Sequence, residues 1–141
     1  MMRYLTAFAL LAAADPAAAC TRPAQVAANP EKYIGQEIEI PHVFCIAQAN
    51  ASFLCHAPTV KAGKPRTLFI QALAIDHVEP SLAQGFAGRC KGVDGFFDPA
   101  CRVSAVVTPY SHSDRLPEGR ASDSLMIYTQ SAFLAREGCA D

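Results

Sequence analysis

Glu37-Ile38-Glu39-Ile40-Pro41-His42-Val43-Phe44-Cys45-Ile46 decides how this chain folds. Its first four residues alternate charged and apolar, the period-two signature of a strand with one wet face and one buried face. Continuing the alternation puts His42, Phe44 and Ile46 on the same face as Ile38 and Ile40. Pro41 interrupts the run. Proline lacks a backbone N–H, so it confines a strand to an edge or demands a bulge. A long first strand kinked at Pro41 is the reading that keeps the period.

Upstream, Thr21 is a good helix N-cap and Pro23 suits a first helical turn, with Asn29-Pro30 as the stop. A further turn, Pro30-Glu31-Lys32-Tyr33-Ile34, ends at Gly35, which can take the left-handed conformation. Downstream, residues 52–56 read as a second strand and residues 58–66 as a polar loop with Gly63 and Pro65. Residues 67–75 are apolar on both faces, as a central third strand would be. Glu79-Pro80-Ser81 opens a helix carrying Leu82 and Phe86 and stopping at Gly88. Residues 102–108 alternate again, giving a fourth strand closed by Pro109. A polar loop over 111–124 then leads to a fifth strand, Leu125-Met126-Ile127-Tyr128-Thr129. No repeat, linker or low-complexity segment divides the chain, so residues 20–141 are expected to form one domain.

Residues 1–19 read as a secretory signal peptide. Arg3 supplies a positive charge, Leu5 to Ala14 an uncharged apolar run, and Ala17-Ala18-Ala19 an A-x-A cleavage site. The apolar run is too short to span a bilayer, which takes roughly 18 residues, and no second long run follows, so no integral membrane segment is expected. The expected location is therefore the bacterial periplasm or the medium. Cys20 directly after the leader is also where a lipid anchor would attach, but Ala17 stands where a lipobox carries a larger aliphatic residue. A net charge of −1 leaves no basic footprint for nucleic acid and no charged tail.

Six cysteines in an exported chain of this size read as a disulfide framework. Cys90 and Cys101 flank a turn-rich loop that a bridge would close. Cys45 and Cys55 sit on consecutive strands and can bridge if they face each other at about 5.5 Å between Cα atoms. Cys20 and Cys139 remain, one near each end, and domain termini often lie close together. Lipidation of Cys20 would leave one cysteine unpaired. The competing use of sulfur is a metal site, for which His42, Cys45, Cys55 and His56 supply the residue types of tetrahedral zinc.

Three strands, a helix and two strands is the element order of an OB-fold, a five-stranded Greek-key barrel. The expected architecture is thus mainly β: an OB-fold-like five-stranded barrel with a helix between strands three and four, a short N-terminal helix and disulfide staples. Asn29-Pro30-Glu31-Lys32-Tyr33-Ile34-Gly35-Gln36-Glu37-Ile38-Glu39-Ile40 resembles the N-P-x-x-Y-x-G-x-x-V-x-V opening of small exported bacterial OB-fold domains. Cys101-Arg102-Val103-Ser104-Ala105-Val106-Val107 is similar to the Cys-led fourth strand of that group, and the resemblance runs in order over about residues 29–133. One departure matters. Those domains usually carry glycine after the first strand's alternation, where this chain has Pro41, so the bend must be made without a glycine's positive φ. The resemblance implies a fold and a ligand- or partner-binding barrel face, but no single reaction.

Catalytic patterns are weak. Ser111-His112-Ser113-Asp114 holds the residue types of a hydrolytic triad within one loop, whereas triad members converge from separate places, and no G-x-S-x-G elbow occurs. Glu37 and Glu39 share the first strand's polar face, His42 its apolar face, and His56 and His77 close strands toward solvent. Acids and arginines are scattered, and Phe44, Phe53, Phe69, Tyr110 and Tyr128 lie mostly at core-like positions rather than on a basic stacking groove. Gly95-Phe96-Phe97-Asp98 is the local oddity. Either one phenylalanine covers the barrel's open end while the other packs on the helix, or the pair forms an apolar tip that docks a partner. The chain is expected to be a non-enzymatic binding or accessory module of the cell envelope. It would engage a protein, peptide or glycan without a cofactor and without nucleic acid. The alternative is a small-ligand or metal site at His42, Cys45, Cys55 and His56.

Overall fold

The structure, a computed structural model, describes residues 19–48, 52–78, 88–115, 121–135 and 139, with backbone alone at 74–78, 115 and 121–123. In chain order the elements are β1 (Ala19–Cys20), α1 (Pro23–Ala28), a 3-10 turn (Pro30–Tyr33), β2 (Ile38–Ala47), β3 (Phe53–Lys61), β4 (Lys64–Val78), two further 3-10 turns (Val93–Phe97 and Pro99–Cys101), β5 (Arg102–Arg115) and β6 (Ala121–Ala135). Strands β2-β3-β4-β6-β5 are neighbours in that order, and β5 returns to β2, so the sheet closes into a five-stranded barrel. The β4–β6 contact is parallel and the other four are antiparallel. The short β1 lies outside the barrel, parallel to the start of β2.

Closure depends on β2 bending. Its first half pairs with β5, from Ile38 opposite Val107 to Phe44 opposite Arg102. Its last four residues pair with β3, from Phe44 opposite His56 to Ala47 opposite Phe53. Between Ile40 and Val43 the register against β5 shifts, with two residues of β2, Pro41 and His42, facing one of β5, Ser104. This is a β-bulge. Pro41 needs no ladder partner for its nitrogen, and His42 takes the left-handed conformation, φ 60°. The extra residue flips the side-chain phase: Ile38 and Ile40 point inward before the bulge, Val43 and Cys45 after it, and all four are buried. The unbroken alternation expected for this strand is therefore corrected. His42 is exposed and Phe44 half-buried on the outer wall, while Ile46 is buried beneath the loop that carries Gly95.

Other boundaries move for local reasons. The polar loop expected over 58–66 is a two-residue turn, Ala62-Gly63, with φ of 51° and 77°. Two successive positive φ values are the mark of the type I′ hairpin turn, whose twist lets strands run right up to it. Pro58 is compatible with a strand because it lies beyond the last β2 partner of β3. Likewise β5 does not stop at Pro109; its register against β6 shifts on both sides of that residue, which absorbs the missing N–H. Ser111 to Asp114 accordingly lie on a strand rather than in a loop. Helix α1 forms where expected, but Arg22 is its N-cap, its backbone N–H bonding the Gln25 side chain at 2.9 Å. Thr21 instead donates its N–H to the Glu39 carbonyl at 2.8 Å, continuing the β1 pairing. The helix expected between strands three and four falls on residues 79–87, outside the described residues.

The core is aliphatic. Leu68, Ile70, Leu125, Ile127 and Leu134 fill the barrel, and Val26 and Ala27 of α1, with no exposure, belong to the same cluster. Most aromatic residues expected at core-like positions are not there: Phe44, Phe69 and Tyr128 are half-buried on the outside and Tyr110 is exposed, whereas Phe53, on the face of Cys55 and Ala57, packs against the core.

Three disulfides link Cys20 to Cys139, Cys45 to Cys55 and Cys90 to Cys101. Cys45 and Cys55 are direct cross-strand partners, 4.0 Å apart at Cα. Bridges of this number point to an oxidising, extracellular-type environment. Among the described residues no helix is long and apolar enough to cross a membrane. On the chain-entropy account, a bridge closing 119 residues restrains the unfolded chain more than one closing 11. Urea unfolding should therefore show C20A/C139A losing about 5 kcal/mol and C90A/C101A about 3 kcal/mol; the reverse order would contradict this account.

Candidate functional site

The bulge in β2 places His42 on the outside, beside the first residue of β5. Arg102 follows Cys101 directly, so the Cys90–Cys101 bridge fixes where its backbone starts. The Arg102 Nη2 group donates to His42 Nδ1 at 2.8 Å. A guanidinium can only donate. Nδ1 is therefore the unprotonated nitrogen of a neutral ring, and the ring's proton sits on Nε2.

This pair forms a ridge between two clefts. One, of about 310 Å³, is lined by Pro41, Pro99, Val103, Ser104 and Cys139 together with the pair. Within it Ser104 Oγ donates to Glu39 Oε1 at 2.8 Å. The other, of about 430 Å³, lies between α1, β2 and β3 and is lined by Arg22, Pro23, Ala24, Phe44, Ala57 and Pro58 with the same His42 and Arg102. It exists because β2 and β3 pair only from Phe44 and His56 onward, leaving Ala57 and Pro58 without β2 partners. No carboxylate among the described residues lines it. A separate groove of about 470 Å³ carries Ile34, Pro109, Tyr110 and Gln130.

No family model and no curated protein matches the chain. A solved structure assigned as an aspartyl-tRNA synthetase from Leishmania major Friedlin aligns with a TM-score of 0.38 and 5% identity, over 92% of this chain and 23% of that one. The chain thus spans about a quarter of that protein's length, and a likeness of this size assigns neither a fold family nor a function.

The loop between Cys90 and Cys101 packs on the outer wall near this ridge. A Cβ on Gly95 would fall 2.5 Å from Ile46 Cγ2, so only glycine lets the loop lie this close. Phe96 is half-buried with its ring 4.3 Å from that of His56, and His56 Nε2–H donates to the Phe96 carbonyl at 3.3 Å. His56 also lies 5.9 Å from Phe44 and 6.1 Å from Phe69, so it sits in an aromatic cluster rather than facing solvent. Phe96 packs on the barrel wall through His56, and Phe97 is 77% and Val93 69% exposed. The loop's base is held by Asp98, which accepts from Ala100 N–H at 2.9 Å and Arg89 Nε at 2.6 Å.

The four residues of the metal alternative do not converge as a ligand set. Cys45 and Cys55 are joined to each other, so neither is a thiolate, while His42 Nδ1 is occupied by Arg102 and His56 Nε2 by Phe96. Among the described residues no group of three or more His, Cys, Asp or Glu is placed to hold a metal. His112 lies 3.8 Å from Glu31 rather than in a triad; the His77 side chain is outside the described residues. The sequence reading missed Arg22 and Arg102, which it treats as scattered. One faint signal existed: each follows within two residues a cysteine, Cys20 or Cys101, whose bridge pins the backbone.

Two outcomes follow for the loop. Phe96→Ser should lower stability by about 1–3 kcal/mol, because it strips packing from His56, whereas Phe97→Ser should stay within about 0.5 kcal/mol; equal losses in urea unfolding would refute the placement. The Ala100 N–H, then the Arg89 guanidinium, hold the Asp98 carboxyl below its ordinary value of 3.8. A depressed folded pKa stabilises above the unfolded value and is lost as pH falls through the folded one. Asp98→Asn should accordingly be less stable than the native chain at pH 7, with the difference shrinking as pH falls through the lowered folded-state value; a gap independent of pH would exclude ionic anchoring.

Proposed function

We propose that this chain is an exported accessory module of the bacterial cell envelope. In this reading it is an OB-fold-like barrel that binds a protein, peptide or glycan partner in the cleft between α1, β2 and β3 and performs no chemistry on it. Counted from β2, the barrel strands neighbour one another in the order 1-2-3-5-4-1, which supports an OB-like Greek key. The leader-like residues 1–19 and the three disulfides support export to the periplasm or the medium. A Cys20 sulfur bonded to Cys139 cannot also carry a thioether-linked lipid, which favours a soluble protein over a lipoprotein. Phe96 and His56 cover part of the aromatic outer wall on which bases would stack, and the net charge is −1, so nucleic acid fits poorly.

The cleft carries the reading. It combines an apolar floor with a few convergent polar groups, at a volume within the range of ligand sites. Fixed backbone on three sides supports it: the bulge of β2, the Cys45–Cys55 bridge and the packed face of α1. A photo-crosslinking amino acid placed at Ala24, inside this cleft, should form one discrete adduct in living cells. The same group at Gln130, in the separate groove, should form none. Adducts of equal yield at both positions, or none at position 24, would overturn this assignment.

A further inference from the structure

The lining of the α1–β2–β3 cleft specifies more than a binding site. We propose that it is a carboxylate site, taking a free carboxyl group attached to a small apolar side chain, as at the C-terminus of a peptide. The inference rests on the cleft being the functional site and names the chemistry of what enters it.

Charge is the first reason. Arg22 and Arg102 both line the cleft, no acid among the described residues lines it with them, and neither guanidinium forms an ion pair with a described residue. Two cations gathered from distant parts of the chain repel each other, so their convergence adds no stability unless an anion joins them. Geometry is the second. The Arg102 fork is held by its bond to His42 Nδ1, and its remaining N–H groups meet no partner among the described residues. A planar fork held in place matches a carboxylate's two oxygens.

The floor decides between anions. Phe44, Ala57 and Pro58 line the cleft together with the two cations. A phosphate is strongly hydrated on every oxygen and gains nothing from an apolar floor. A carboxylate carrying a methyl-sized side chain buries that group there while its oxygens meet the rim. The cleft is also too small for a long apolar tail to be enclosed with its head group, given about 430 Å³.

The test titrates the oxidised protein, observing the Arg102 Nε–H and His42 ring signals by NMR. N-acetyl-alanine should give saturable shifts at both, and its neutral amide should give none. Acetate, which keeps the charge but lacks the side chain, and inorganic phosphate should both bind more weakly. R22Q and R102Q should each raise the Kd for N-acetyl-alanine by about tenfold or more, the scale of one charge-assisted hydrogen bond. Because Arg22 is the N-cap of α1, R22Q is also unfolded in urea, and a midpoint equal to that of the native chain shows that its loss of binding is not a loss of fold. Equal binding of the amide, tighter binding of phosphate, or unchanged affinity in R22Q would each overturn the carboxylate assignment. A discrete adduct at position 24 alongside silent Arg102 and His42 signals would do so too, while leaving the site itself standing.

Discussion

Closure of the barrel hangs on one extra residue in β2. A strand that pairs with β5 on one side and β3 on the other must turn between them, and a straight period-two strand cannot do this while keeping its apolar residues inside. Pro41 and His42 supply the turn. Holding a non-glycine residue at positive φ costs about 1–2 kcal/mol. Without the bulge the register after position 41 would slip, and Val43 and Cys45, both with no exposure, would face water. Burying one such side chain is worth about 1.5–3 kcal/mol, so keeping the valine alone offsets the strain, and the inward cysteine adds to the balance. Cys45 reaches Cys55 only in the bulged register, so the disulfide further penalises the slipped alternative.

The same bulge builds the surface. A residue in the left-handed conformation projects away from the sheet's alternation, and here that residue is an imidazole next to a guanidinium. Glycine at this position would remove the strain but leave Arg102 without the acceptor that holds it. Strained residues held in place by their surroundings concentrate at functional sites, and His42 meets that description through φ and hydrogen bonding together. The early end of β2–β3 pairing, itself a product of the turn, opens the gap that α1 covers only in part. Fold and cleft therefore share a cause.

How much of this was legible depends on the range of each interaction. Alternation over 37–40 and 102–108 and the apolar run of 67–75 marked strands because those patterns are local. Disulfide partners could be ordered by proximity in sequence, leaving Cys20 with Cys139. The bulge was half legible: Pro41 demanded an irregularity, but no rule assigned the extra residue to His42, so every side chain after it was placed on the wrong face. The hairpin at Ala62-Gly63 was hidden by composition, since Lys61, Lys64 and Arg66 look like a loop although strands can carry such residues on their solvent face. Aromatic residues misled in the opposite direction. Hydrophobicity suggested that they lie inside, yet a narrow five-stranded barrel filled mainly by isoleucine, leucine and valine leaves Phe44, Phe69 and Tyr128 outside and admits Phe53 only at its margin.

The cleft was not legible because its members are brought together by covalent and backbone restraints rather than by a motif. Arg22 and Arg102 belong to segments whose only sequence mark is a neighbouring cysteine, and a cysteine announces a fixed backbone without saying what the next side chain faces. Pinning matters here for an energetic reason. Two flexible arginines closing on an anion lose rotamer freedom, about 2 kcal/mol for each long side chain at most, which cancels much of a single charge-assisted bond. Arg102 is already ordered by its bond to His42, so under the proposed carboxylate role more of its interaction with a ligand would remain as affinity. An arginine bound to a neutral histidine on a protein surface gains little stability for the fold itself. Its arrangement makes physical sense as preorganisation, the cost of ordering having been met when the barrel closed around the bulge.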